Sequence, residues 1–142
     1  MTKKVLVPID GSPQSNDALD YALEEFAEDD ITLLHVIDPI DAGYTAPVGL
    51  PGGSEEWYEN EKESAETIFE EARTVADEYG VTLDSATEMG RPAQTIVEFA
   101  DDEEFDQIVM GSHGRSGVSR ILLGSVAETV VRRASMPVTV VR

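Results

Sequence analysis

Three glycines in the last third of the chain are spaced so that the backbone could enclose an anion. Gly111-Ser112-His113-Gly114 follows an apolar run, nine residues intervene, and Gly124-Ser125 precedes a helical pattern, which gives the spacing G-x-x-G-x9-G-S. Glycines let the backbone turn and approach a ligand closely, and the free amides at the start of a helix favour an anion. The spacing therefore predicts that phosphate is bound here, mainly by backbone amides.

A purely structural interpretation of the same residues stays open. The glycines could serve only as turns, and Ser125 could cap the following helix, because Ser125-x-x-Glu128 fits a capping box. His113 lies within the segment and could donate to a phosphate or hydrogen-bond the loop itself. Arg115 and Arg120 are the cations between the two halves of the spacing, and either could contact phosphate.

Signatures of dedicated catalysis are missing from the sequence. It contains neither a G-x-x-x-x-G-K-[ST] P-loop nor a G-x-S-x-G nucleophile elbow, and it has no cysteine that could act as a thiol nucleophile or metal ligand. His35 lies in an apolar run without a second histidine or cysteine at ligand spacing, so we interpret it as a core residue. We interpret the acidic runs at Glu28, Glu55 and Asp101 as solvated surface. The sequence thus predicts no catalytic residue and no metal-binding side chain.

Strand-like and helical patterns alternate along the chain. The strand-like runs cover residues 3–9, 31–37, 81–87, 105–110 and 137–141. The first helix begins with Ser12 as its cap and Pro13 at its first position. The second follows a glycine- and proline-rich stretch, residues 38–54, and has an apolar stripe of Ala65, Ile68, Phe69, Ala72, Ala76 and Tyr79.

The two remaining helices are shorter. One starts at Pro92 and is ended by the acidic residues 101–104, and the last covers residues 125–134 with Val126, Val130, Val131 and Ala134 on one face. Strands that alternate with helices indicate an α/β fold, a single doubly wound domain over residues 1–142 with a parallel sheet covered on both faces. In such sheets ligands bind beyond the carboxyl ends of the strands. The loops that begin at Asp10, Asp38 and Gly111 lie there.

The charge of the chain excludes several classes of partner. The net charge is −19, with three lysines, and this would repel nucleic acids and anionic lipid surfaces. A composition of this kind is similar to that of cytoplasmic proteins from halophilic archaea, because molar salt screens the repulsion between carboxylates. The sequence shows no signal-length or membrane-spanning apolar stretch, so we expect a cytoplasmic location.

Several segments together resemble the universal stress protein family in its ATP-binding branch. The glycine spacing and the flanking residues 109–117 are typical of that family, and matching segments occur at residues 5–12, 34–38, 90–92 and 137–141. The resemblance implies a five-stranded parallel sheet in the order 3-2-1-4-5 with four helices. It also implies a nucleotide between the ends of the first and fourth strands, and a homodimer paired through the last strands.

The resemblance also implies which residues hold the nucleotide. Pro8, Asp10 and Val36 would flank adenine and ribose, with Met110 and Gly111 on the opposite wall. Gly114, Gly124, Ser125 and Val126 would hold the phosphates, joined by His113 and Arg115. A Mg²⁺ or Mn²⁺ ion could accompany the phosphates, with Asp10 near it or near the ribose. The alternative for Asp10 is an Asx-type turn in Asp10-Gly11-Ser12.

Three functions are compatible with these residues. The first is an ATP-binding regulatory protein of the stress response with at most slow hydrolysis, since no placed cation or nucleophile is evident. The second is a dimeric adaptor of the same fold that does not use nucleotide. The third is a nucleotidyl-transfer enzyme, which would need an H-x-G-H or S-G-G-x-D-S signature that the sequence lacks. We expect the first.

Overall fold

Five parallel strands form one sheet in the part of the chain that the computed structural model describes, residues 2–39, 51–112 and 123–142. The order is β3-β2-β1-β4-β5, and every neighbouring pair is parallel. The strands are β1 Lys4–Pro8, β2 Asp30–Ile37, β3 Leu83–Met89, β4 Gln107–Gly111 and β5 Val138–Val141. The predicted α/β class and strand order are confirmed.

Four helices connect these strands within the described ranges. They are α1 Pro13–Glu25, α2 Pro51–Glu78, α3 Pro92–Asp102 and α4 Ser125–Arg133. Proline stands in the first turn of α1 and of α3, where its missing amide has no intrahelical partner to lose. None of the helices in these ranges is long and apolar enough to span a membrane.

Each face of the sheet is covered by its own pair of helices. Val5 and Val7 of β1 belong to a core cluster with α1 and α2, whereas Leu6 between them belongs to a second cluster with α3 and α4. Successive side chains of a strand point to opposite faces, so a continuous apolar run is what a central strand needs. The doubly wound arrangement follows from this alternation.

The structure corrects three predicted boundaries. Helix α2 begins at Pro51, so the last four residues of the predicted 38–54 loop are helical, although Gly52 and Gly53 disfavour a helix; residues 40–50 lie outside the described part. Strand β3 begins at Leu83 rather than at residue 81 and continues to Met89, because it pairs with β2 over seven residues. Helix α3 includes Asp101 and Asp102 and ends only afterwards.

Two residues predicted on buried helix faces are exposed. Tyr79 is 39% exposed because α2 ends at Glu78, and Val131 of α4 is 45% exposed. The rest of the α2 stripe is buried or half-buried, and Val130 of α4 is fully buried. The apolar face of α4 is therefore narrower than the sequence pattern predicts, and Val131 adds to the surface.

Candidate functional site

The loop after β1 is a tight turn built by its own side chains. The Oδ1 atom of Asp10 accepts a hydrogen bond from the backbone N–H of Ser12 at 2.9 Å, which is the Asx-type turn. Gly11 between them has a φ of +81°, a conformation that favours glycine. The Asx-type turn is therefore present, and it holds the Asp10 carboxylate at the carboxyl edge of the sheet.

The first turn of α1 continues directly from this loop. Ser12 is the predicted cap, and its Oγ accepts from the Ser15 N–H at 3.2 Å. The Ser15 hydroxyl donates to the Ser12 carbonyl at 3.1 Å and accepts from the Asp10 N–H at 3.4 Å. Both serines are buried. The N-cap side chain therefore satisfies the Ser15 amide in the first turn of α1.

The end of β2 brings an apolar and a polar residue to the same edge. Val36 is half-buried and packs on the α3–α4 side of the sheet. His35, on the other face, is 5% exposed, and its Nδ1 lies 2.9 Å from the carbonyl oxygen of Ile9. The prediction that His35 is a satisfied core residue is confirmed. Its partner is the residue immediately before Asp10.

The end of β4 lies against the start of α1. A Cβ on Gly111 would lie 2.7 Å from the backbone oxygen of Gln14, so this position accepts only glycine without a shift of the helix. Met110, the preceding residue, is 5% exposed and belongs to the α3–α4 core cluster. Gly111 therefore has a packing role in addition to the predicted contact with a ligand.

Backbone hydrogen bonds join the two halves of the glycine spacing. Ser112, directly after β4, donates its N–H to the Val141 carbonyl at 2.9 Å, and its own carbonyl accepts from the Gly124 N–H at 2.7 Å. The chain thus leaves the sheet at Ser112, and Gly124 lies next to Ser112. His113, Gly114, Arg115 and Arg120, which lie between, are outside the described residues.

Helix α4 begins without a side-chain cap. Gly124 is the N-cap, in extended backbone with φ −67° and ψ 160°, and Ser125 is the first helical residue. The predicted capping box is therefore wrong, because Ser125 is one position too late, and Glu128 instead pairs with Arg132 at 2.8 Å. The predicted placement of Arg132 and Arg133 in the last turn is confirmed.

The structure brings most of the described candidates to one edge of the sheet. Strands β2, β1 and β4 are neighbours, so their carboxyl ends place Val36, Pro8, Asp10, Met110 and Gly111 side by side. The Ser112–Gly124 hydrogen bond adds Gly124, Ser125 and Val126 at the start of α4. Among the described residues, no cluster of three or more His, Asp or Glu side chains could hold a metal ion.

Residues that the sequence did not single out also contribute to this edge. Ser15 and the backbone of Gln14 lie in the first turn of α1, and Ser112 links β4 to α4. In the sequence, the only local indication that Ser112 belongs to the site was its position inside the glycine spacing. Nothing in the sequence indicates that Gln14 approaches Gly111, since that contact depends on how α1 packs.

The family model of universal stress proteins matches residues 1–142. The chain belongs to the universal stress protein family. Universal stress protein MJ0531 of Methanocaldococcus jannaschii is 39% identical over an alignment of 145 positions, which covers 99% of this chain and 82% of that relative. The family membership suggested by the sequence motifs is confirmed.

Solved structures of universal stress proteins have the same fold. Protein MJ0577 of M. jannaschii is 34% identical over 155 residues, covering 100% of this chain and 96% of that relative. Its structure superposes with a TM-score of 0.84 at 33% identity, over 99% of this chain and 96% of that one. A universal stress protein solved in complex with cAMP gives a TM-score of 0.70 at 26% identity, over 99% and 96% of the two chains.

Proposed function

We propose that this universal stress protein is an ATP-binding regulatory protein of the stress response. The observation that carries the proposal is the 2.7 Å hydrogen bond from the Gly124 N–H to the Ser112 carbonyl. It joins the two halves of the glycine spacing at the start of α4, whose N-cap has no side chain. The amides of that turn and the helix dipole suit a phosphate group.

The phosphate end of the proposed site lies at α4. Ser125 and Val126 would donate backbone N–H groups, and the Ser125 side chain is exposed beside them. The N–H of Gly124 is already bound to Ser112, so Gly124 would contribute by letting the phosphate approach the backbone closely. His113, Gly114 and Arg115 would complete the enclosure from the intervening segment. Arg115 would supply the positive charge that a polyphosphate needs in a chain with a net charge of −19.

The adenine and ribose would lie toward β1 and β2. Pro8 and Val36 are half-buried at the carboxyl ends of these strands and offer apolar contacts to a base. Met110 and Gly111 at the end of β4 would form the facing wall. The carboxylate of Asp10, held by its bond from Ser12, is placed to contact the ribose or a water of a Mg²⁺ or Mn²⁺ ion that accompanies the phosphates.

The universal stress protein solved with cAMP supports an adenine nucleotide as the ligand class. That relative binds a nucleotide with one phosphate. The proposed preference for ATP rests on the resemblance of the glycine spacing to that of the ATP-binding branch of the family. We propose at most slow hydrolysis, because rapid phosphoryl transfer needs cations and a base placed around the γ-phosphate, and the chain has no P-loop lysine.

The decisive experiment is nucleotide binding in molar KCl. Calorimetry with ATP, ADP, AMP and GTP, each with and without Mg²⁺, should show ATP binding and should rank the adenine nucleotides by phosphate number. Gly124→Val combined with Ser125→Ala should abolish the part of the affinity that depends on the phosphates, while circular dichroism shows an unchanged fold. ATP turnover measured in parallel should stay far below the roughly 10 s⁻¹ typical of enzymes.

Three results would redirect the proposal. Persistent failure of the folded wild type to bind any nucleotide would favour the dimeric adaptor. Equal ATP affinity of the double variant and the wild type would show that the phosphates lie elsewhere. Release of pyrophosphate in the presence of an acceptor would instead favour nucleotidyl transfer.

We also propose that two copies pair through β5. This strand lies at the edge of the sheet, and all four of its residues are partly exposed. An unpaired edge of this kind needs covering, and the exposed Val131 of α4 adds apolar surface. Light scattering at micromolar concentration in molar KCl should report a dimer, and a monomer there would contradict the pairing.

We propose that the chain works in a cytoplasm rich in salt, as in halophilic archaea. The support is its net charge of −19 together with its few lysines. Repulsion among the carboxylates falls steeply when the Debye length shortens to about 3 Å at molar salt. The midpoint of thermal unfolding should therefore rise with KCl concentration, and a midpoint that is the same in dilute buffer would contradict this.

A further inference from the structure

The hydrogen-bond ladder between β1 and β2 ends just before the proposed site. Pro8 and Leu34 are the last paired residues, and the Ile9 N–H donates to the Leu34 carbonyl at 2.9 Å. In a parallel ladder the Ile9 carbonyl would next accept from a backbone amide of β2. Ile9 is buried at 5% exposure, so its carbonyl needs a partner there.

The imidazole of His35 takes the place of that amide. Its Nδ1 lies 2.9 Å from the Ile9 carbonyl oxygen, and the ring is buried. A carbonyl oxygen only accepts hydrogen bonds, so Nδ1 must carry the proton. Because a side chain makes this bond, β1 can separate from β2 at Asp10 without leaving a buried carbonyl unpaired.

The bond fixes one side of a single peptide group. The Ile9 carbonyl and the Asp10 N–H belong to the same planar unit, and the Asp10 N–H donates to the Ser15 hydroxyl at 3.4 Å. His35 of β2 therefore binds the carbonyl side of this peptide plane, and Ser15 of α1 binds its amide side. The orientation of this plane decides where the Asp10 carboxylate points.

We propose that His35 is a positioning residue for the nucleotide site, acting through the Ile9–Asp10 peptide. This inference rests on the proposed function. His35 would not contact the nucleotide; it would set the direction in which the Asp10 turn faces the ribose. Small displacements of positioning groups have large effects, so removal of the donor should weaken ATP binding by about tenfold or more.

Two substitutions of His35 separate positioning from general stability. In His35→Asn the side-chain amide nitrogen occupies the same place along the side chain as Nδ1 and can donate to Ile9, so ATP affinity should stay within about threefold of wild type. In His35→Leu the donor is lost, and ATP affinity should fall. Leu33→Val is the matched control, because Leu33 is buried two residues earlier on the same face of β2 and pairs with Val7, three residues before Asp10.

The measurements are ATP calorimetry, thermal unfolding, ¹⁵N NMR of the His35 ring and amide hydrogen exchange. We expect the Nδ1–H tautomer in the wild type, and faster exchange at Asp10 and Ser12 in His35→Leu but not in Leu33→Val. Unchanged ATP affinity in His35→Leu, or an equal loss in Leu33→Val, would overturn the proposal, as would a ring whose Nδ1 carries no proton. If the wild type binds no nucleotide, the proposed function fails, and the tautomer and the exchange rates still decide whether His35 orients the turn.

Discussion

Helices α1 and α4 both begin at the carboxyl edge of the sheet, but their first turns are completed differently. At α1 the Ser12 hydroxyl accepts from the Ser15 N–H, and Asp10 and Ser15 satisfy the neighbouring groups. At α4 the N-cap is Gly124, which has no side chain to offer. The start of α1 is therefore capped by a side chain of the protein, whereas the start of α4 has no side-chain cap.

The far ends of the same helices differ as well. The last turn of α4 carries Arg132 and Arg133, which complement the helix dipole. The last turn of α1 has no basic residue, and its exposed face carries carboxylates, among them Asp20. Burial, followed by the charges of Asp17, Glu24 and Glu78, raises the pKa of Asp20. The two helices therefore differ in charge at both ends: α4 has an uncapped start and a basic last turn, whereas α1 has a capped start and no basic residue in its last turn.

The largest effect, on the free energy of unfolding, is expected where the strand that leads to α4 packs against the first turn of α1. Gly111, at the end of the strand that leads to α4, approaches the Gln14 backbone in the first turn of α1. Gly111→Ala should lower the free energy of unfolding by about 3 kcal/mol, since a Cβ would force the helix away from the strand. Urea denaturation in molar KCl measures this.

A second glycine provides the control for this substitution. Gly80, after α2, has a φ of +70° and open space around its Cα, so Gly80→Ala tests backbone strain without a clash and should cost about 1 kcal/mol. An equal cost at both positions would mean that the contact between Gly111 and Gln14 is not tight.

The second largest effect, on ATP affinity, is expected when the start of α4 is given a side-chain cap like that of α1. Gly124→Asp places a carboxylate at the N-cap, where φ and ψ suit any residue. The carboxylate should occupy the amides and repel phosphate, so ATP affinity should fall at least tenfold, about 1.4 kcal/mol. Stability should rise by a few tenths of a kcal/mol at most. Calorimetry and urea denaturation report the two quantities.

The reciprocal variant is made at α1. Ser12→Ala removes the cap, and stability should fall by about 1 kcal/mol, with a smaller change in ATP affinity than Gly124→Asp causes. If both variants changed ATP affinity equally, the difference between the capped start of α1 and the uncapped start of α4 would play no part in nucleotide binding.

The smallest effect on stability is expected at Asp20, on the exposed face of α1. The raised pKa of Asp20 means that the folded state binds its proton more tightly than the unfolded state, so the contribution favours folding at acidic pH. It is lost as pH rises through the folded pKa. Asp20→Asn should therefore raise stability at pH 7 by a few tenths of a kcal/mol in dilute buffer. Thermal unfolding at pH 4 and pH 7, in low and molar KCl, should show the gain at neutral pH only, and a smaller gain in molar KCl, because salt screens the neighbouring carboxylates but not the burial.

Local patterns in the sequence were sufficient for much of this fold. The continuous apolar run of β1 predicted a strand buried on both faces, and Ser12-Pro13 predicted the start of α1 correctly. The apolar stripe predicted α2 but not its start at Pro51, since helix propensity argues against Gly52 and Gly53. The strand order was implied only by the family resemblance, because periodicity does not report which strands are neighbours.

By itself, the sequence determined the fold class, the glycine spacing and the acidic surface, all of which are properties of residues close together in the chain. Tertiary structure alone decided the approach of Gly111 to Gln14, the bond from His35 to Ile9 and the extension of β3 to Met89. Each of these joins residues far apart in sequence. Their contacts depend on strand order and helix packing, which bring together groups that local composition cannot relate.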